Sequence, residues 1–151
     1  MFLKNGALLI SSKITNKMVT VTSRNGAEET FQNPDIDYFS PVTSDGTQGT
    51  NCKLSTSTTD VNYTNYDLSD LINLNPTSCT LVTASTGEIV YTYGFTNTTG
   101  SSITINKIGL KTCTSSSSYN DHNFYIYMEK IVPRVVAPNE TFSFTITCKF
   151  N

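Results

Sequence analysis

Few side chains in this sequence could support acid–base or nucleophilic catalysis. His122 is the only histidine, and it follows Asp121 shortly after Cys113 and the serine run 115–118. A serine or cysteine nucleophile needs a base within hydrogen-bonding distance, and nearness in sequence does not supply that geometry. The strand–turn–helix motif Gly-x-Ser-x-Gly is absent. We therefore interpret this stretch as a polar surface loop, and we expect no catalytic residue and no enzymatic activity.

Asp35 and Asp37 are two carboxylates two residues apart in a segment rich in proline, glycine, serine and threonine. In an extended backbone, side chains two residues apart point the same way, so this pair could bind calcium or act on a sugar. Calcium loops supply six or more oxygen ligands from a denser acidic pattern. A solvated loop is the favoured interpretation, and we expect no metal ion and no cofactor.

The cysteine spacing does not indicate a metal site. Cys52, Cys79, Cys113 and Cys148 are widely separated, with no Cys-x-x-Cys pair and no histidine-rich partner segment. Zinc sites in proteins normally show both close cysteine pairs and a second pair of ligands. We expect free thiols, and we expect Cys148 to be a small buried apolar residue in the last strand.

Composition favours strands over helices. Serine, threonine and asparagine number 17, 25 and 15, whereas alanine numbers four. Threonine is enriched in strands, and serine and asparagine are common in turns, whereas alanine is the best helix former. Charged residues make up only 15% of the chain and the net charge is −2. Without a basic patch, we expect no nucleic-acid partner.

The N-terminal segment carries no targeting signal. Its apolar run, Ala7 to Ile10, is four residues long. A secretory signal needs about 7–15 apolar residues and a small-residue cleavage site, and a membrane span needs about 18 or more. We expect a protein that is made in the cytoplasm, has no signal peptide and has no membrane partner. Ala7–Ile10 and Lys17–Thr22 are each predicted to form a short strand.

Alternation of apolar and polar residues predicts several strands in the rest of the chain. It is strongest in 142–150 and 89–96, and weaker in 101–111 and 124–132. Residues 78–84 are also interpreted as a strand. The apolar phase changes at Asn106-Lys107, which predicts a β-bulge. Asn97–Gly100 is interpreted as a hairpin turn. At most one short helix is expected, near 67–73. The pattern predicts an all-β protein, an antiparallel β-sandwich of jelly-roll or immunoglobulin-like type.

Two regions with different roles are expected. Residues 1–50 are interpreted as an N-terminal arm with short strands and a long loop that contacts neighbouring subunits, and 51–151 as the sandwich. Tyr125 and Tyr127 alternate with Phe124 and Ile126, so they are expected to face outward or to lie in a second contact layer, and they are candidates for a subunit interface. The full set of interface candidates is Phe2, Leu3, Leu8, Leu9, Ile10, Tyr38, Phe39, Tyr125 and Tyr127.

Three segments in order resemble a known family. They are 54–68 (LSTSTTDVNYTNYDL), 95–110 (FTNTTGSSITINKIGL) and 132–142, which contains VVAPNETF. Together they are similar to small virion proteins of tailed bacteriophages, including crAss-like phages of gut bacteria. The resemblance spans about residues 53–150 and implies a non-enzymatic β-sandwich that works through oligomeric contacts.

The resemblance implies a structural role in the virion. The first expectation is a capsid-surface auxiliary, decoration or head-fibre protein that forms a dimer or trimer and contacts other virion proteins such as the major capsid protein. One alternative is a tail adaptor or receptor-binding component. Another is a carbohydrate-binding module using Tyr63, Tyr66, Tyr119 and the loop 112–121, although the absence of tryptophan lowers this expectation.

Overall fold

The computed structural model describes residues 1–32, 40–43, 49–84, 88–113 and 123–149. These residues form one helix and nine strands. In chain order the elements are α1 (Lys4–Thr15), β1 (Val19–Thr22), β2 (Glu28–Phe31), β3 (Gly49–Ser55), β4 (Leu71–Ile72), β5 (Ser78–Ala84), β6 (Glu88–Thr96), β7 (Ile103–Cys113), β8 (Asn123–Val136) and β9 (Thr141–Lys149).

The strands build an antiparallel β-sandwich, which confirms the predicted fold class. One sheet has the order β4-β3-β7-β8 and the other β5-β6-β9, while β1 and β2 form a separate ribbon. Every strand pairing is antiparallel. β5 and β6 are consecutive neighbours, but β6 to β7 and β8 to β9 are connections that cross from one sheet to the other.

The core lies between the two main sheets. Tyr91, Tyr93 and Phe95 alternate along β6 and are all buried, as the sequence predicted for that strand. Phe95 stacks on Phe142 of β9, with ring centroids 5.4 Å apart. The hydroxyl of Tyr93 donates a hydrogen bond of 2.5 Å to the backbone oxygen of Thr50 in the opposite sheet. Aromatic side chains of β6 and β9 therefore pack in this core beside aliphatic residues of both sheets.

The single helix of the described residues lies where the sequence predicted a strand. α1 covers the apolar run 7–10, whereas the expected helix near 67–73 is replaced by the two-residue strand β4. The buried face of α1 includes Asn5, Leu9 and Ser12, which are spaced four and three residues apart. Because two of these buried residues are polar, the spacing of apolar residues in this segment does not show the period of a helix. In the segment 67–73, Asp70 has a φ of 51°, which is incompatible with a continuing right-handed helix.

The turn at Asn97–Gly100 connects the two sheets and does not form a hairpin. β6 pairs with β5 and β9, whereas β7 pairs with β3 and β8. The predicted bulge at Asn106-Lys107 is confirmed, because Ile105 lies opposite Arg134 and Lys107 opposite Lys130. This irregularity also explains how β8 continues through Pro133, since β8 is an edge strand and proline is tolerated at edges and bulges.

The N-terminal residues pack onto the sandwich through a close backbone approach. The amide of Leu3 donates to the backbone oxygen of Ile126 at 2.9 Å. The side chain of Asn5 donates a hydrogen bond of 2.6 Å to the backbone oxygen of Thr22 and accepts one of 3.0 Å from the amide of Thr22. A Cβ atom at Gly6 would lie 2.7 Å from the oxygen of Ile126 and 2.5 Å from Cε1 of Phe2. Gly6 thus allows α1 to approach β8.

Replacing Gly6 with alanine is expected to lower stability, although alanine is the better helix former by about 1 kcal/mol. The added methyl group would meet the backbone oxygen of Ile126, and overpacking of this kind costs about 1–3 kcal/mol. Urea unfolding of Gly6→Ala measures the change. Ser11→Ala, at an exposed position of the same helix, is the control and should be neutral or slightly stabilising. Equal or greater stability of Gly6→Ala would contradict the close approach.

Candidate interaction surfaces

The structure separates the predicted interface residues into three groups. Leu3, Leu9 and Tyr125 are fully buried within the chain, so they present no surface to a partner. Tyr38 and Phe39 lie outside the described residues. The remaining candidates are partly exposed: Phe2, Leu8, Ile10 and Tyr127.

A second bulge places Tyr125 and Tyr127 on opposite faces of the four-stranded sheet. Leu110 lies opposite Tyr127, but Lys111 lies opposite Tyr125, so Ile126 is an extra residue in β8. Neighbouring residues of β7 point to opposite faces, and their partners Tyr127 and Tyr125 therefore do so as well. Tyr125 packs in a small cluster with Leu3, Leu68 and Met128 on the face of the four-stranded sheet that points away from the other sheet.

An apolar groove lies between α1 and the end of β9. Its volume is about 440 Å³, and its lining consists of Phe2, Ala7, Ile10, Ser11, Ile14, Thr15 and Lys149. Ile14 is 79% exposed, which is unusual for a side chain of its size. The groove brings together two of the predicted interface residues, Phe2 and Ile10. An open, mostly apolar depression of this kind is suited to a protein contact.

Three of the four cysteine side chains are buried in the structure. Cys52, Cys113 and Cys148 are buried, Cys79 is partly exposed, and all four thiols are free. Burial raises the pKa of Cys148 to about 11 and raises the pKa of Cys52 further. A thiol is nucleophilic as its thiolate, which these environments disfavour. Cys52 and Cys148 therefore act as packing residues of the core, as was expected for Cys148.

Two lysines on the outer face of the four-stranded sheet bind the connection between β3 and β4, which covers that face. Lys107 donates to the hydroxyl of Thr59 at 2.8 Å, and Lys130 forms an ion pair of 2.8 Å with Asp60. Burial, followed by the nearby charge of Lys130, lowers the pKa of Lys107. These bonds attach the connection between β3 and β4 to β7 and β8. We interpret these lysines as structural.

Tyr63 and Tyr66 are the described members of the proposed sugar-binding set. They are 51% and 45% exposed and lie in the connection between β3 and β4. The backbone oxygen of Tyr63 accepts a hydrogen bond from the amide of Lys4 at 2.9 Å. Tyr119 and most of the loop 112–121 lie outside the described residues. The two tyrosines therefore stand as exposed aromatic rings near the N-terminus.

Other sequence candidates cannot be placed. Asp35, Asp37, the serines 115–118, Asp121 and His122 all lie outside the described residues. Within the described ranges, no three or more histidine, cysteine, aspartate or glutamate side chains are grouped to hold a metal ion. In the same part of the chain, no helix has the length and apolar character needed to cross a membrane.

Sequence reasoning did not identify two of the most exposed apolar positions. Ile14 follows the apolar run of α1, and Val82 lies in β5 with 59% of its surface exposed. The uncharged sequence of β5, SCTLVTA, was interpreted only as a strand, and nothing in it indicates whether it lies at a sheet edge. In comparisons with known proteins, no protein-family model, no curated protein and no solved structure matches this chain.

Proposed function

We propose that this protein is a non-enzymatic structural component of a bacteriophage virion, located on the capsid surface as an auxiliary, decoration or head-fibre protein. It would be made in the host cytoplasm and act through contacts with copies of itself and with other virion proteins, such as the major capsid protein. The observation that carries the proposal is the apolar groove beside α1, where Ile14 and its neighbours present apolar side chains to a partner.

The placement of the family-like segments supports the same proposal. The segments 95–110 and 132–142 meet in space, because Asn97 bonds the backbone oxygens of Val136 and Ala137 at 3.1 Å each. The parts of these two segments around Asn97 and Ala137 therefore form one corner of the sandwich. Low charge adds to this, since a surface with few charges loses little solvation when it is covered by a partner.

Quantitative mass spectrometry of purified phage particles tests the proposal. Copies of this chain would be counted against the major capsid protein. We expect many copies per particle, as a head decoration requires. Only a few copies would support the alternative of a tail adaptor or receptor-binding component. Absence of the chain from particles would overturn both virion proposals.

A pair of variants tests whether the groove makes the contact. Ile14→Glu places a charge in the groove at a position exposed enough to leave folding intact. Lys13→Glu changes a neighbouring exposed position that does not line the groove. Particles assembled with Ile14→Glu should lose the chain, whereas those with Lys13→Glu should retain it. Equal retention would remove the groove from the attachment surface.

The exposed rings of Tyr63 and Tyr66 favour one further candidate, a carbohydrate-binding module. Aromatic rings three residues apart can stack on successive faces of a sugar chain. A glycan array probed with the folded protein and with Tyr63→Ala tests this candidate. Binding that the variant loses would support it, and a blank array would remove it.

A further inference from the structure

Strand β5 is an open edge of the three-stranded sheet. It spans seven residues, Ser78–Ala84, and within the described part of the chain it pairs only with β6. Its sequence, SCTLVTA, has no charged residue, no proline and no glycine. Leu81 and Val82 are 39% and 59% exposed. An edge with these properties is a ready template for a further strand.

The other edges of the described structure are protected. Asn5 occupies the edge of β1 by bonding Thr22. β2 carries two glutamates, and β4 is only two residues long. β8 contains Pro133, two register shifts and several charged residues. Short length, charge, proline and bulges are the devices by which proteins prevent unwanted strand pairing.

Arg134 protects β9, the opposite edge of the same sheet. Its guanidinium lies over the rings of Phe142 and Phe144, 5.4 and 5.7 Å from their centroids, and donates to the backbone oxygen of Ser143 at 3.4 Å. β9 also ends in Lys149, which forms an ion pair with Glu88. Of the two edges of this sheet, β5 alone has no such protection in the residues that the structure describes.

We propose that β5 pairs with β5 of a second copy of this chain, antiparallel and across a two-fold axis, so that the two three-stranded sheets become one six-stranded sheet. The partner is inferred from charge. Charged side chains on a partner strand would lose part of their hydration when that strand paired with the uncharged β5. A second copy of β5 carries no charged side chain, so this cost does not arise. A two-fold axis also lets one surface serve both partners.

The positions of the exposed side chains indicate the register. Thr80 and Val82 lie opposite Thr92 and Val90 of β6, so they share the outer face of the sheet, and Leu81 lies opposite Tyr91 on the core face. Pairing centred on Leu81 places that side chain against its own copy and Thr80 against Val82 of the copy. This register covers both exposed apolar side chains of the strand.

The inference goes beyond the proposed function and does not rest on it, because it concerns the chain in solution whether or not the chain enters a virion. Seven strand residues span about 23 Å. A contact made by one strand of this length buries less surface than most stable interfaces do. We therefore expect an equilibrium between monomer and dimer that depends on concentration.

Sedimentation of the full chain tests the association. At about 100 µM we expect a species of twice the 16.6 kDa chain mass. Thr80→Lys with Val82→Lys would oppose lysines across the proposed axis and should weaken association by more than about tenfold. Thr145→Lys with Thr147→Lys adds the same charge on the outer face of β9 and should leave the dimer intact. A monomeric wild type, or a dimer that the β5 variant does not weaken, would overturn the proposal.

Oxidative cross-linking tests the register. In a Cys79→Ser background, Leu81→Cys would place two thiols opposite each other across the axis, and a disulfide-linked dimer should form. Thr145→Cys in the same background is the control and should remain uncross-linked. If both variants cross-link equally, or neither does, the proposed pairing is wrong. Circular dichroism of all variants establishes that each remains folded.

Discussion

Deletion of residues 1–31 is expected to abolish cooperative folding of the remaining chain. Leu9 and Val21 are buried in the same apolar cluster as residues from both main sheets, and Leu3 closes the second cluster. Each large side chain buried in a core contributes about 1.5–3 kcal/mol, so these three contribute about 5–9 kcal/mol. A domain of ordinary size is stable by only about 5–15 kcal/mol in total.

The deletion also tests the predicted division into an attachment arm, 1–50, and a sandwich, 51–151. Phe31 packs edge-on against Phe124 of β8, with ring centroids 5.3 Å apart. Loss of Phe31 would expose the ring of Phe124, which is buried in the core. Urea unfolding followed by near-ultraviolet circular dichroism should give no sharp transition for the deleted protein. A transition like that of the full chain would show that the sandwich folds alone and that the N-terminal residues serve attachment only.

Two point variants within α1 separate a loss of packing from a loss of chain length. Leu9→Ala removes a fully buried side chain and should cost about 2–5 kcal/mol. Ile14→Ala removes a mostly exposed side chain from the same helix and should change stability by less than about 0.5 kcal/mol. Equal effects of the two substitutions would contradict the burial of this helix.

The sandwich was predictable because its central strands carry a strong period of two. β6 alternates between buried aromatic residues and partly exposed neighbours, and the change of phase at Asn106 predicted the shift in register between β7 and β8 at that point. The turn at Asn97–Gly100 was misassigned as a hairpin. Its local residues specify a turn, but the choice between pairing with the same sheet and crossing to the other depends on distant strands.

The candidate surfaces were less predictable than the fold. Around Tyr125 and Tyr127, β8 is apolar on both faces, so alternation could not reveal that Ile126 is an extra residue. The edge position of β5 depends on the order of strands in the sheet, which no local pattern encodes. The lack of charge in 78–84 is visible in the sequence, but only the strand order shows that it leaves a sheet edge unprotected.

Asn97 is expected to be the polar side chain whose removal costs most. It is fully buried at the corner where the β6–β7 and β8–β9 connections meet. Its Nδ2 donates to the backbone oxygens of Ser101, Val136 and Ala137 at 2.8, 3.1 and 3.1 Å. Its Oδ1 accepts from the amide and the hydroxyl of Thr99 at 3.1 and 2.7 Å. One side chain therefore satisfies backbone groups of two separate connections.

Asn97→Ala would leave those buried groups without their partners. A buried polar group that loses its hydrogen bond costs about 1–3 kcal/mol, so we expect a loss of about 3 kcal/mol or more in the free energy of unfolding. In a chain of this size, that corresponds to a melting temperature lower by about 6–12 °C. Thermal unfolding by circular dichroism or calorimetry measures the shift.

Asn97→Asp distinguishes the donor from the acceptor function of this side chain. The substitution keeps the shape and an oxygen for Thr99, but it turns a second oxygen toward three carbonyl oxygens. We expect it to be at least as destabilising as alanine, because a buried carboxylate lacks the donors that those carbonyls require. Asn139→Gly is the control in the same corner. Position 139 has a φ of 62°, which glycine adopts readily. The hydrogen bond that its backbone amide donates to the backbone oxygen of Asn97 is retained. A control change as large as that of Asn97→Ala would mean that the corner responds to any substitution and that the Asn97 amide has no special role.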